Sequence, residues 1–216
     1  MNPDFSASVQ SRLADLIAFR HDLHAHPETS FEETRTSSKV LERLRDIPGL
    51  DIRDGLAGGT GICATLNAEK SGPCVLLRAD MDALPIEELS DLPYKSEHPG
   101  RCTPAGTTGI PQPCSVRHML SDHADALAGP VKFCFQPAEE QGCGGQRMID
   151  DGILENPHVD AAFALHGWPR PGTGAHHQRA RRYWPRRHRL KLNLKAKAGT
   201  RHIRTRAPTC CWPSRN

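Results

Sequence analysis

Apolar residues recur at helical spacing within the first 50 residues and predict two amphipathic helices. The pattern of the first helix ends at Pro27, and the spacing of Ser30 and Glu33 is that of a capping box at the start of the second. The predicted apolar face of the first helix consists of Val9, Leu13, Leu16, Ile17 and Leu23. That of the second helix consists of Val40, Leu41 and Leu44.

Beyond residue 52 the apolar runs become shorter and predict strands that alternate with helices. A helix is predicted over residues 145–154, with Met148, Ile149 and Ile153 on one face. The run at 159–165 is nearly all apolar, which predicts a strand covered on both faces. This order predicts an α/β fold in which helices flank a mixed, mostly buried sheet. The predicted strands lie at residues 61–66, 74–77, 131–135 and 159–165.

Two segments, residues 101–118 and 170–189, follow neither period and are rich in Arg, Pro, Gly, Thr and Cys. The charge changes sign near the second of them. Residues 1–169 carry 14 Lys and Arg and all 25 Asp and Glu, whereas residues 170–216 carry 14 Lys and Arg and no acidic residue. Such a change indicates either a basic nucleic-acid-binding tail or two stretches of different origin.

The composition of the 216 residues, 37% hydrophobic and 25% charged, is typical of a globular protein. No apolar run approaches the roughly 20 residues of a membrane span, and the first residues lack the basic and apolar regions of a secretory signal. The eight cysteines include no C-x-x-C pair, so we interpret them as reduced thiols. We therefore expect a cytoplasmic protein without a membrane partner.

Ionisable residues follow three of the predicted strands, where α/β folds place their sites. Asp80 and Asp82 point to the same side of an extended chain, Glu139 and Glu140 follow residues 131–135, and His166 follows the last apolar run. Adjacent acids can divide the work, since one binds a metal ion while the other takes a proton from water. A purely structural role remains open for each of these residues. The acidic residues would then be solvated side chains in loops, and His166 would be a hydrogen-bonded histidine.

Longer motifs surround these residues. Together they resemble the bacterial amidohydrolases related to hippurate hydrolase, within the aminoacylase/carboxypeptidase family of dimetal peptidases that also includes indole-acetyl-amino-acid hydrolases. The resemblance covers residues 12–100 and 130–169. The motifs are RHDLHAHPE (20–28), SFEE (30–33), RADMDALPI (78–86), FQPAEE (135–140), MIDDGIL (148–154) and FALHGWP (163–169).

The resemblance implies a zinc-peptidase-like catalytic domain followed by a small α+β dimerisation domain, through which members of the family form homodimers. It implies divalent metal ions such as zinc or manganese, and cleavage of hippurate-like N-acyl amino acids to a carboxylic acid and an amino acid. Glu139 would be the general base, Glu140 and His166 metal ligands, and Asp82 the acidic residue that supports the site beneath the metals.

One family motif, C-G-H-D-G-H, is missing where it is expected, shortly after His98-Pro99-Gly100. Its cysteine and the histidine that follows bind the metals in the family. Residues 102–117 read CTPAGTTGIPQPCSVR instead. One choice of codons for this stretch, read one base out of register, gives LHACGHDGHTAALLGA. Residues 200–216 can be re-read in the same way as HAAYPHAGTDLLLAVAQ, so we hypothesise that the chain is frameshifted and truncated.

On this hypothesis, residues 1–175 are an incomplete catalytic domain with an aberrant stretch at 101–118. Residues 176–216 would be a basic, disordered remnant of the dimerisation domain. We expect the chain to be impaired as a metal-dependent amidohydrolase, and a non-catalytic remnant is the alternative. A third hypothesis is nucleic-acid binding by the basic residues of 170–216 with Tyr183, Trp184 and Trp212, although we expect no specific nucleic-acid partner.

Overall fold

The structure contains the predicted helices and strands in the predicted order, with one further strand, Leu50–Leu56, that the apolar pattern did not predict. The computed structural model describes residues 6–103, 120–140 and 143–164, which all belong to the unit Met1–Gly167. The domain boundary predicted at 175 and the basic residues 170–216 lie outside the described residues. The elements are α1 (Ser6–Ala25), α2 (Thr34–Arg45), β1 (Leu50–Leu56), β2 (Gly61–Leu66), β3 (Cys74–Asp80), a 3-10 helix (Ala124–Ala126), β4 (Val131–Gln136), α3 (Gly144–Asp150) and β5 (Val159–Ala164).

The five strands form one mixed sheet in the order β1-β2-β4-β3-β5. Strand β2 is antiparallel to β1 and β4, whereas β3 is parallel to both β4 and β5. The register pairs Asp80 with Gln136 and Arg78 with Ala164. The carboxyl ends of β3, β4 and β5 therefore lie along the same edge of the sheet. The predicted α/β class with a mixed sheet is confirmed.

Side chains of the central strands alternate between two apolar layers, as the pleat of a strand requires. Phe133 and Phe135 of β4 pack in the layer formed with α1 and α2, and Cys134 lies in the layer that contains Met148 of α3. Helices consequently cover both faces of the middle of the sheet. The first layer consists of Phe19, Leu23, Val40, Leu44, Ile62, Ala64, Leu66, Ala79, Met81, Val131, Phe133 and Phe135. The second consists of Leu56, Ala57, Cys63, Leu76, Cys134, Met148 and Ile153.

The predicted apolar face of α1 is wrong in part. Phe19 and Leu23 are buried, but Leu13 and Ile17 are 40% and 44% exposed. At about 100° per residue, positions 13 and 17 lie about 120° around the helix from positions 19 and 23. The sequence holds two overlapping apolar stripes, and α1 packs against the core through the second.

Two other expectations need correction. The strand β5 is not covered on both faces, since it lies at an edge of the described sheet and Phe163 is 60% exposed. Helix α3 ends at Asp150 rather than at 154, because Gly152 adopts a left-handed conformation (φ +78°) that ends the helix. Within the helix Met148 is buried and Ile149 is exposed, and Ile153, beyond the end of the helix, is buried.

The predicted capping box is also wrong. Glu33 occupies the N-cap of α2 but makes no side-chain capping bond, and the Ser30 hydroxyl donates to Asp82 instead. The carboxylate of Glu28 accepts hydrogen bonds from the backbone N–H groups of Arg35 (3.0 Å) and Thr36 (2.7 Å). Glu28 therefore satisfies the free N–H groups at the start of α2.

The segment after β3 docks on α1 through a buried hydrogen bond between His24 and Glu88. Nε2 of His24 lies 3.0 Å and 3.1 Å from the two carboxylate oxygens of Glu88. Burial alone would raise the pKa of Glu88, but hydrogen bonds from Ser90, the Ser96 N–H and His24 outweigh it and lower the pKa to about 2. The segment that contains Glu88 continues to Cys102, which is buried, so the first residues of the stretch 101–118 belong to the fold. Residues 104–118 lie outside the described residues.

None of the described helices is both long and apolar enough to cross a membrane.

Candidate active site

The chain segments that follow β3 and β4 run side by side at the carboxyl edge of the sheet. The N–H of Met81 donates to the carbonyl oxygen of Gln136 (2.9 Å), which continues the pairing beyond β3. Asp82 lies on one segment and Glu139 with Glu140 on the other. The structure thus brings together the three predicted acidic residues that it describes.

Asp82 is buried and binds the backbone of both glutamates. Its Oδ1 accepts a hydrogen bond from the N–H of Glu139 (2.8 Å), and its Oδ2 accepts one from the N–H of Glu140 (3.0 Å). Oδ2 also accepts from the hydroxyl of Ser30 (2.7 Å). One carboxylate from the β3 side therefore fixes the turn that presents the Glu139-Glu140 pair.

Arg78 lies between the buried carboxylate of Asp80 and the side chain of Glu139. Its Nε donates to Oε1 of Gln136 (2.9 Å). Its Nη1 is 3.7 Å from Oδ2 of Asp80, and its Nη2 is 4.0 Å from Oε1 of Glu139. Glu139 itself is partly exposed, with 32% of its side chain accessible. The side chain of Glu139 is thus both partly accessible to solvent and close to a cation.

Sequence reasoning missed Glu33 as a residue of this region. It is fully buried, and its carboxylate contacts the N–H of Ala138, the residue before Glu139. Burial raises the pKa of Glu33, and the hydrogen bonds that it accepts only partly counter this effect. The sequence signal for Glu33 is its place as the second glutamate of SFEE, but its spacing from Ser30 indicates a local capping residue instead.

The described residues alone do not supply a dimetal centre. Among them, no group of three or more His, Cys, Asp or Glu side chains could hold a metal ion. A catalytic zinc site usually has about three protein ligands. Of the two predicted ligands, Glu140 lies beside Asp82, whereas His166 lies outside the described residues, as do residues 104–119 where most of C-G-H-D-G-H would be.

Cys102 does not replace the missing ligand cysteine. It is buried, and its backbone pairs with Leu84 through two hydrogen bonds, of 2.9 Å and 3.0 Å. Burial raises the pKa of the Cys102 thiol, and the nearby charge of Glu88 raises it further. Metals bind the thiolate form, so this environment disfavours metal binding by Cys102.

Comparison with known proteins gives consistent matches. Residues 76–182 match the family model for peptidase family M20/M25/M40. The chain is 39% identical over 163 residues to an N-acetyl-L-cysteine deacetylase of Bacillus subtilis, covering 74% of this chain and 38% of that protein. It is 35% identical over 156 residues to an N-acyl-L-amino acid amidohydrolase of Geobacillus stearothermophilus, covering 71% of this chain and 41% of that protein.

Among solved structures, the fold is similar to the crystal structure of the Bacillus subtilis YXEP protein, described as a dinuclear metal binding peptidase from the M20 family. The TM-score is 0.68 at 34% identity, and the match covers 74% of this chain and 44% of that one. The chain thus spans well under half the length of these three relatives.

Proposed function

We propose an amide hydrolase function from the premise that this chain belongs to peptidase family M20/M25/M40. The proposed reaction is the cleavage of an N-acyl amino acid, such as hippurate, to a carboxylic acid and an amino acid. The names of the two curated relatives support this class of substrate. The observation that carries the proposal is the buried Asp82 carboxylate, which holds the N–H groups of both Glu139 and Glu140 at the sheet edge.

In this proposal Glu139 is the general base. Its partly exposed carboxylate takes a proton from the water that attacks the amide carbon and then gives that proton to the leaving amine. Arg78, at 4.0 Å, restrains the glutamate side chain, and Asp82 restrains its backbone.

Glu140 and His166 are the proposed metal ligands, for zinc, manganese or a similar divalent ion. The description of the similar solved structure as dinuclear supports a pair of ions. The described residues do not by themselves complete a site for these ions.

We further propose that the protein works in the cytoplasm. Four of its five described cysteines are buried and all five are free thiols, which suits a reducing compartment. A specific role in nucleic-acid binding is not part of this proposal.

We propose that this chain is impaired, because the Cys and His ligands of C-G-H-D-G-H are absent from it. With zinc or manganese added, the 216-residue chain is expected to hydrolyse benzoylglycine no faster than its Glu139→Gln variant. An amine assay that detects the released glycine measures the rate of hydrolysis. Restoring residues 102–117 to LHACGHDGHTAALLGA tests whether this stretch alone causes the impairment. If it does, turnover returns and Glu139→Gln lowers it by about 100-fold or more.

Two results would count against these proposals. Robust turnover by the unmodified chain, abolished by Glu139→Gln, would show that the chain is not impaired. Turnover in the restored variant that Glu139→Gln leaves unchanged would remove Glu139 from the reaction.

A further inference from the structure

Glu33 joins three segments that are far apart in the sequence. Its Oε1 accepts hydrogen bonds from the N–H of Phe31 (3.0 Å) and from the N–H of Ala138 (2.8 Å). Its Oε2 accepts one from the hydroxyl of Thr60 in the β1–β2 turn (2.8 Å). A fully buried carboxylate therefore links the start of α2, this turn and the segment that follows β4.

Both backbone N–H groups bound by Glu33 belong to residues in a left-handed conformation. Phe31 has a φ of +65° and Ala138 a φ of +50°, although neither is a glycine. Residues with a Cβ avoid this region unless the surrounding structure holds them there. The buried carboxyl group of Glu33 is such a restraint, because one of its oxygens accepts hydrogen bonds from both of these N–H groups.

The Ala138 turn sets the direction of the chain into Glu139 and Glu140. Three consecutive N–H groups, those of residues 138, 139 and 140, are bound by two carboxylates, Glu33 for the first and Asp82 for the other two. The turn is also tightly packed, since a Cβ on Gly144 would come within 1.7 Å of the Pro137 carbonyl oxygen. If the hydrogen bond from Ala138 to Glu33 were lost, the turn would have no open space to relax into. Its movement would therefore displace the Glu139-Glu140 pair.

We infer that Glu33 is a positioning residue for the Glu139-Glu140 pair, acting through the left-handed turn at Ala138. This inference rests on the function proposed above for that pair. Glu33 acts together with Asp82, which accepts hydrogen bonds from the next two N–H groups of the same turn.

The test compares Glu33→Leu, which removes the acceptor, with Glu33→Gln, which keeps one acceptor oxygen of nearly the same geometry. The measurement is amide hydrogen exchange by NMR on the full chain, with the Phe133 amide of β4 as the internal reference. Relative to that reference, we expect Glu33→Leu to speed exchange at residues 138–140 by about tenfold or more. The carboxyl carbon resonance of Glu139 is expected to move in the same variant.

Glu33→Gln is expected to keep exchange at residues 138–140 within about threefold of the unmodified chain, because the conservative variant still accepts from Ala138. Thr60→Val is the matched control, since it removes only the third partner of Glu33. If Glu33→Leu fails to fold, the double variant with Ala138→Gly decides. Glycine adopts the left-handed conformation without strain, so the fold and slow exchange at 139 and 140 are expected to return.

The inference is overturned if Glu33→Leu leaves exchange at residues 138–140 unchanged relative to Phe133. It is also overturned if Thr60→Val and Glu33→Leu speed all amides by the same factor, or if the double variant does not recover. None of these outcomes depends on turnover. A failed exchange test therefore removes the role of Glu33 alone, and a failed hydrolysis test removes the proposed function alone.

Discussion

The Asp82→Ala substitution is expected to lower the free energy of unfolding by about 4 kcal/mol. The buried carboxylate accepts three hydrogen bonds, two of them from the backbone of Glu139 and Glu140. Hydrogen bonds to a charged group contribute about 1.5–3 kcal/mol each, and their loss would leave two N–H groups without this acceptor. Urea unfolding followed by circular dichroism measures the difference.

Ser30→Ala is the matched control for Asp82→Ala, because it removes only the hydroxyl partner of the same carboxylate. We expect it to cost about 1 kcal/mol. An Asp82→Ala chain no less stable than the Ser30→Ala chain would show that Asp82 does not hold the glutamate turn.

The Phe133→Ala substitution is also expected to cost about 4 kcal/mol. Phe133 lies on β4, between β2 and β3, and its side chain is fully buried in the layer formed with α1 and α2. Its removal would leave a cavity where the elements on either side can relax only in part. Because β4 leads directly into Glu139 and Glu140, this substitution also tests whether the core supports the candidate site.

Phe163→Ala provides the same chemical change on the same sheet. Phe163 is 60% exposed on β5, so we expect its loss to change the stability by less than about 1 kcal/mol. Thermal or urea unfolding of the two variants side by side measures the contribution of burial alone. Equal effects would contradict the placement of Phe133 in the core.

The central strands could be predicted because the apolar residues that are buried in them are consecutive in the sequence. Strands β2 and β4 are short apolar runs bounded by turn residues, and both were placed within one residue of their observed bounds. The face of α1 was not predictable in the same way. Leu13 and Ile17 form as good a stripe as Phe19 and Leu23, and only contact with α2 and the sheet selects between them.

The same distinction holds for the candidate site. Glu139 and Glu140 follow a strand, and the parallel pairing of β3 with β4 brings Asp82 beside them, as chain order suggested. Glu33 was missed because its partners Thr60 and Ala138 are 27 and 105 residues away. A local pattern, the capping box, offered a simpler role for the same residue. Long-range hydrogen bonds of a buried charge leave no periodic trace in a sequence.

The roles of Glu139, Glu140, His166 and Asp82 remain predictions, and so do the domain boundary at 175 and the reading-frame hypothesis. His166, the boundary and most of residues 101–118 lie outside the described residues. On the reading-frame hypothesis, the described carboxylates are one half of a two-ion centre, and the stretch CTPAGTTGIPQPCSVR stands in place of other donors.

The most direct test of that central claim is the number of zinc ions retained per chain after dialysis, measured by plasma mass spectrometry. We predict well under one zinc per unmodified chain, and about one or more in the variant restored to LHACGHDGHTAALLGA, decreasing again when Glu140→Gln is added. About two tightly held zinc ions in the unmodified chain, or a restored variant that binds no more than its parent, would contradict it.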